Sequence, residues 1–122
     1  MRVHNFKIAL LVLLGGAIGS LSRYYLSEAC YVHWGRHFPS GTLCVNLIGA
    51  FVMGVLWSKF SSHLTVRAFW MIGMLGGFTT FSTFSLDALL LLQHDRMIAS
   101  IIYILASTLG SMIMVYLGYK IC

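Results

Sequence analysis

The stretch that most constrains this chain lies at residues 73–85. Paired glycines, five hydroxyl residues and three phenylalanines there interrupt an apolar segment long enough to cross a membrane. Inside a bilayer every backbone N–H and C=O needs a hydrogen-bond partner. A helix-breaking sequence at that depth is therefore tolerated only where it is buried in protein or lines a polar cavity. The stretch predicts an ion or substrate site within a membrane.

The composition predicts that most of the chain is surrounded by lipid. Only 9% of the 122 residues are charged, whereas a soluble domain has about a quarter, and the mean hydropathy is +0.87. The first apolar run is too long for the core of a signal peptide and lacks a small-x-small cleavage site, so it predicts a retained helix.

Four apolar runs have the length of a spanning helix, which is about 20 residues. They lie at residues 7–25, 41–57, 67–92 and 97–121. Because these runs use nearly the whole sequence, we expect one all-α integral membrane domain over residues 1–122. Its third helix is expected to be broken at the glycine- and hydroxyl-rich stretch.

The net charge of +5 comes from basic residues scattered over the connections between these runs, so it predicts membrane-flanking charges rather than a nucleic-acid patch. With the N-terminus in the cytoplasm, the inner set would be Arg2, Lys7, Lys59, Arg67 and Lys120, against Arg23, Arg36 and Arg96. This bias is weak, and insertion in both orientations is compatible with it.

Cysteine and histidine spacing favours neither a disulfide framework nor a metal site. Cys30, Cys44 and Cys122 are odd in number and lack CxxC spacing. His33 and His37 are four residues apart, but their aromatic and basic neighbours favour a belt at the membrane interface.

The first apolar run carries two features of interest. Gly15 and Gly19 form a small-xxx-small face that lets another backbone approach closely. Arg23 lies near the end of the run, where snorkelling to lipid headgroups is the favoured interpretation. The alternative is that its charge raises the anion concentration at a vestibule mouth.

Asn46 lies about one turn inside the second run, where a buried amide requires partners. Two interpretations stay open at this point. The amide forms a hydrogen bond between helices, or it offers N–H donors to a passing anion.

Phe81 and Phe84 are three residues apart, so they share a face if the helix resumes after the glycines. Ring edges carry partial positive charge, and edges turned inward would line a path for a small anion without trapping it. Asp87 follows near the expected membrane end, paired or hydrated.

Hydroxyl groups form a stripe on the fourth run, where Tyr103, Ser107 and Ser111 recur every four residues. Helical serines often bond back to their own helix. A stripe of three facing the same bundle as Asn46 is more simply interpreted as a polar track.

Together these residues resemble the CrcB/Fluc family of fluoride channels over nearly the whole chain. The resemblance rests on residues 15–19 with 23–24, on residues 41–43 with Asn46 and Gly49, and above all on residues 76–85, Gly-Gly-Phe-Thr-Thr-Phe-Ser-Thr-Phe-Ser. The last motif is long and specific, whereas the other two are weak alone.

The resemblance implies an antiparallel, dual-topology homodimer in the bacterial inner membrane, with two fluoride pores along the subunit interface. It also implies a structural sodium ion on the dimer axis, bound by the backbone carbonyls of Gly76 and Thr79. Fluoride, the lipid bilayer and a second copy of the chain are then the expected partners.

By motif position, the resemblance assigns Phe81 and Phe84 to the pore, Asn46 to its entrance and Arg23 to the vestibule. Ser82, Thr83, Tyr103, Ser107 and Ser111 match as pore-lining hydroxyls. Family members often have glutamate at the position of Asp87. The implied activity is passive export of cytoplasmic fluoride, which lowers its toxicity.

Other classes of protein fit the sequence less well. A small multidrug-type, proton-coupled transporter needs a carboxylate deep in the first helix, and the first acid here is Glu28. A membrane-embedded enzyme needs a nucleophile–base pair, a metal cluster or a cofactor motif. A purely structural helix bundle explains the glycines but not the hydroxyl-rich break.

Overall fold

The computed structural model describes residues 2–121, with side chains from residue 5 onward. Cys122 and the side chain of Arg2, both considered above, lie outside the described part. Every regular element in that part is helical: α1 Arg2–Trp34, α2 Ser40–Phe60, α3 Leu64–Val66, a π-helical segment Arg67–Leu75, α4 Gly76–Phe78, α5 Ser82–Gln93 and α6 Met97–Ile121.

Four helical spans in the described residues are long and apolar enough to cross a membrane. They are Asn5–Trp34, Ser40–Phe60, Leu64–Gln93 and Met97–Ile121, by length and composition. The predicted all-α architecture with four spanning helices is therefore confirmed.

The end of the first helix differs from the prediction, because α1 continues to Trp34 rather than stopping near residue 25. Hydropathy reports where apolar surroundings end, whereas a helix ends where its backbone is interrupted. The interruption is Gly35, whose φ of +76° is a left-handed conformation that glycine adopts readily. The 33 residues of α1 span about 50 Å, well beyond a hydrocarbon core of about 30 Å.

Short connections at residues 35–39, 61–63 and 94–96 make successive spans run in opposite directions. The first and last of these connections meet at one end of the bundle, where the Arg96 guanidinium donates to the carbonyl of His37. Both chain ends of the described part therefore lie at the opposite end of the bundle.

Glycines bring α1 against the third span with almost no side chain between them. A Cβ at Gly19 would overlap the carbonyl oxygen of Met74, and one at Gly15 would overlap that of Phe69. From the other side, a Cβ at Gly77 would lie 2.7 Å from the carbonyl oxygen of Gly16. The close-approach face predicted for Gly15 and Gly19 is therefore confirmed.

The second close pair is α2 with α6. A Cβ at Gly54 would overlap the carbonyl oxygen of Val115, and one at Gly118 would overlap that of Phe51. α5 packs on α6 through a core of Phe84, Ala88, Leu91 and Tyr103. Most other large apolar side chains lie on the outside of the chain, as expected for contact with lipid or another subunit.

Candidate functional site: the interrupted third span

The regular helix stops within the third span between Phe78 and Ser82. Thr79 has extended backbone (φ −88°, ψ 159°), and α5 begins only at Ser82. α2 passes directly beside this point, because Gly49 leaves room for the methyl group of Thr79. The interruption therefore lies against α2 inside the bundle.

Asn46 of α2 binds both backbone groups of Thr80. The Thr80 amide donates to Asn46 Oδ1 over 2.8 Å, and Asn46 Nδ2 donates to the Thr80 carbonyl over 2.9 Å. A backbone N–H can only donate, so the amide oxygen must face it, and the orientation of the carboxamide is thereby fixed. Of the two interpretations left open, Asn46 makes a contact between spans, although to backbone rather than to a side chain.

The Thr80 side chain caps the helix that follows. Its Oγ1 accepts a hydrogen bond of 3.1 Å from the Thr83 amide, one of the first amides of α5, which have no partner within the helix. Thr80 was not among the predicted site residues. Thr80 could have been found from its position, because a helix that restarts inside a membrane needs a capping hydroxyl just before its first turn.

These contacts determine which carbonyls are released at the interruption. In a continuous α-helix the Thr80 amide would bind the Gly76 carbonyl, and the Thr83 amide would bind the Thr79 carbonyl. Here the first amide is bound by Asn46 and the second by Thr80 Oγ1. The carbonyls of Gly76 and Thr79 thus lose their usual helical donors, and carbonyl oxygens are ligands that a hard cation accepts.

Arg23 lies beside the same segment from the α1 side. Its Nε donates to the Gly77 carbonyl over 2.9 Å, so this half-buried side chain joins α1 to the third span. Snorkelling and a vestibule charge both stay predictions for Arg23. Arg23 also lines a groove of about 320 Å³, together with Ser20, Tyr24, Ser27, Glu28, Tyr31, Thr42 and Thr83.

A second cavity, of about 460 Å³, lies on the other side of the interruption and opens at the surface of the chain. It brings together six of the predicted site residues: Asn46, Thr79, Phe81, Phe84, Ser107 and Ser111. The rings of Phe81 and Phe84 are 5.4 Å apart and inclined at 56°. Their environments differ sharply, since Phe81 is 75% exposed and Phe84 only 7%.

Ser107 supplies an unused hydroxyl to this cavity. Its side chain is buried, and within residues 5–121 its Oγ has no hydrogen-bond partner. The neighbouring Thr108 behaves differently, because its hydroxyl donates to the carbonyl of Ile104 in its own helix. Ser107 therefore has a free donor in a buried position, where an unbound hydroxyl is costly.

Three of the predicted hydroxyl residues lie elsewhere. Tyr103 is completely buried under Phe84 and donates to Asp87 Oδ2 over 3.1 Å. Thr83 lines the groove of Arg23 instead of the cavity. Ser82 is exposed, with its Oγ 3.4 Å from Thr80 Oγ1.

The His, Cys, Asp and Glu side chains of the described residues are dispersed. In the described part of the chain, no group of three or more His, Cys, Asp or Glu side chains could hold a metal ion. Cys30 and Cys44 are free thiols, and the exposed His33 ring lies 6.4 Å from that of Trp34.

A family model described as "CrcB-like protein, Camphor Resistance (CrcB)" matches residues 10–119 of the chain. The chain belongs to the CrcB family. The resemblance carried by the motifs at residues 15–19, 41–49 and 76–85 is thereby confirmed.

Individual relatives of this CrcB chain extend the match. A protein named "Fluoride-specific ion channel FluC" from Magnetococcus marinus is 47% identical over 111 residues, which cover 88% of this chain and 90% of the relative. A protein of the same name from Photobacterium profundum is 42% identical over 121 residues, covering 96% and 95%. Another from Rhizobium etli is 46% identical over 117 residues, covering 93% and 94%.

These relatives are named as ion channels and not as enzymes. With its four apolar spans, this CrcB chain is a multi-pass protein of the bacterial inner membrane, in contact with the lipid bilayer.

Proposed function

We propose that this chain is a fluoride-selective channel through which cytoplasmic fluoride leaves passively, lowering its toxicity. The observation that carries the proposal is membership of the CrcB family, together with 40–47% identity to proteins named as fluoride-specific channels over most of the chain. The cavity beside the interrupted span supplies the chemistry that such a pathway needs.

Fluoride is small and strongly hydrated, so a pathway must replace its water with hydrogen-bond donors. Ser107 offers a buried hydroxyl. Asn46 uses one N–H of its Nδ2 for the Thr80 carbonyl, and the second remains for an anion. The edges of Phe81 and Phe84 add partial positive charge without a full charge that would trap the ion.

The pathway is completed by a second copy of the chain in the opposite orientation. The cavity opens at the chain surface beside the exposed ring of Phe81. Irregular backbone and unused polar groups do not face hydrocarbon, so another protein surface must cover them. The weak charge bias favours neither orientation, which supports an antiparallel, dual-topology homodimer with a pathway along each side of its interface.

The interruption would act as the break of the third spanning helix and as the site of a structural sodium ion. The carbonyls of Gly76 and Thr79 fit this role, because the amides that would bind them in a helix are held by Asn46 and Thr80. Two carbonyls from each of two subunits would supply four oxygens. Such an ion would satisfy backbone groups that cannot remain unpaired in lipid and would join the subunits.

Proton-coupled export through a deep carboxylate is not favoured. Glu28 is 41% exposed, and both of its carboxylate oxygens accept from Arg36 Nη2, at 2.9 and 3.1 Å, in the part of α1 that extends past the first apolar run. Asp87 accepts from Tyr103. Glu28 and Asp87 therefore each have a partner within the chain.

The proposed function is tested with purified protein in liposomes loaded with potassium fluoride. We expect rapid fluoride release, measured with a fluoride electrode, once valinomycin allows potassium to balance the charge. Release should need neither ATP nor a proton gradient, and chloride-loaded liposomes should release their anion far more slowly. Comparable chloride flux, or fluoride flux only with a proton gradient, would contradict the proposal.

A further inference from the structure

Every polar group of Thr80 is engaged in a hydrogen bond that a continuous helix would not allow. Its N–H and C=O bind the two ends of the Asn46 carboxamide, at 2.8 and 2.9 Å, and its hydroxyl accepts from the Thr83 amide at 3.1 Å. The contact with Asn46 joins α2 to the third span, whereas the contact with Thr83 lies within the third span and replaces a helical backbone bond.

Each of the two contacts removes one donor from one carbonyl. Asn46 takes the amide that would otherwise bind Gly76, and the Thr80 hydroxyl takes the amide that would otherwise bind Thr79. Without them, the two amides have a simple alternative, because closing the i to i−4 bonds would extend the helix through residues 79–81. An unpaired amide in a membrane makes that closure favourable.

We propose that Asn46 and Thr80 are positioning residues that hold the carbonyls of Gly76 and Thr79 free to bind a cation. This inference rests on the sodium site of the proposed function and assigns one side chain to each carbonyl. It gives Asn46 a role distinct from that of an anion ligand. Neither side chain contacts the cation in this arrangement.

The chemistry of the two positions makes the proposal specific. A carboxamide presents an acceptor and a donor side by side, as both ends of a peptide group require, whereas leucine presents neither. At position 80 the β-hydroxyl accepts from the Thr83 amide, so serine, which has the same hydroxyl, retains the contact. Valine has the shape of threonine and lacks the acceptor.

The experiment measures sodium dependence separately from fluoride flux. Wild type, Thr80→Val, Thr80→Ser and Asn46→Leu are purified in N-methyl-D-glucamine buffer without sodium. Thermal unfolding is then followed during a sodium chloride titration, and N-methyl-D-glucamine chloride keeps ionic strength constant. Ser111→Ala serves as the matched control, since it deletes a hydroxyl from the same cavity without a contact to the interrupted backbone.

We expect Thr80→Val and Asn46→Leu to raise the sodium concentration for half-maximal stabilisation by about 10- to 100-fold, the usual effect of removing a group that orients metal ligands. Thr80→Ser should restore the wild-type value, and Ser111→Ala should keep it. The pair of Thr80 variants decides the question even if Asn46→Leu does not fold.

Two results would overturn the inference, and they can be told apart. Wild-type sodium dependence in Thr80→Val, with or without a loss of fluoride flux, would refute the positioning role alone. A wild-type protein that conducts fluoride but is not stabilised by sodium would refute the sodium site together with this inference, and would leave the channel function standing.

Discussion

The hydroxyl of Tyr103 donates to Asp87 Oδ2 over 3.1 Å, so the only polar group of a completely buried side chain is bound within its own subunit. The Tyr103 ring lies between Phe84 and Phe38, at centroid distances of 5.2 and 5.6 Å. In this arrangement Tyr103 supports Phe84 and orients Asp87, and its hydroxyl is not available to an anion.

We therefore predict that Tyr103→Phe retains most of the fluoride efflux while lowering the free energy of unfolding by about 1 kcal/mol, the usual contribution of one hydrogen bond. Liposome efflux and chemical unfolding in detergent measure the two effects. Ser107→Ala is the comparison, because removing an unbound hydroxyl should lower flux without that loss of stability. Abolished flux in a stable Tyr103→Phe variant would place its hydroxyl in the pathway.

Phe81 and Phe84 should respond differently to the same substitution. Phe84→Ile removes a buried ring from the α5–α6 core and should destabilise the protein by about 1–3 kcal/mol. Phe81→Ile changes a side chain that is 75% exposed in the subunit and should leave subunit stability almost unchanged. Reduced flux in a stable Phe81→Ile variant is the expected sign of contact with the anion, and full flux would exclude it.

The proposed dual topology predicts two populations of molecules. The test uses a variant in which the native cysteines are replaced and one cysteine is added at the N-terminus. An impermeant thiol reagent should label roughly half of the molecules while the membrane is intact and the other half after it is opened. A control with extra lysines in the 61–63 connection should shift the ratio. Labelling from one side only would refute dual topology.

Substitutions at Gly19 and Gly76 should separate helix packing within the subunit from assembly of the dimer. Gly19→Leu should disrupt the subunit itself, because even a Cβ there overlaps the carbonyl oxygen of Met74. A Cβ at Gly76 would meet nothing nearer than the carbonyl oxygen of Met71, at 3.9 Å. Gly76→Leu should therefore keep the helical content, measured by circular dichroism, and lose the dimer, measured by cross-linking. An intact dimer that still responds to sodium would contradict the proposed role of Gly76.

The four helical spans and the glycine contact faces could be predicted from the sequence because lipid imposes them. A spanning segment must be long and apolar, and helices in lipid approach closely through small residues such as Gly15 and Gly19. The end of α1 could not be found in this way. Past residue 25 the chain leaves hydrocarbon, and a local feature, the left-handed backbone of Gly35, decides where the helix stops.

The polar contacts of the site were less accessible to sequence analysis. Tyr103, Ser107 and Ser111 recur every four residues, which predicts one stripe on α6. The stripe passes through two different environments. Tyr103 lies over the α5 core, whereas Ser107 and Ser111 reach the cavity beside α2. The partners of Asn46 and Arg23 are backbone groups of the third span, 34 and 54 residues away, and no local pattern encodes them.

The length of α2 should make the site sensitive to membrane thickness. The 21 residues of α2 span about 32 Å, close to the hydrocarbon core, while α1 has about 18 Å more. A bilayer with longer acyl chains would have to thin around α2, because the length of α2 only just matches the hydrocarbon core. Because Asn46 binds Thr80, a change in the tilt or position of α2 in a thicker bilayer would be transmitted to the interrupted span.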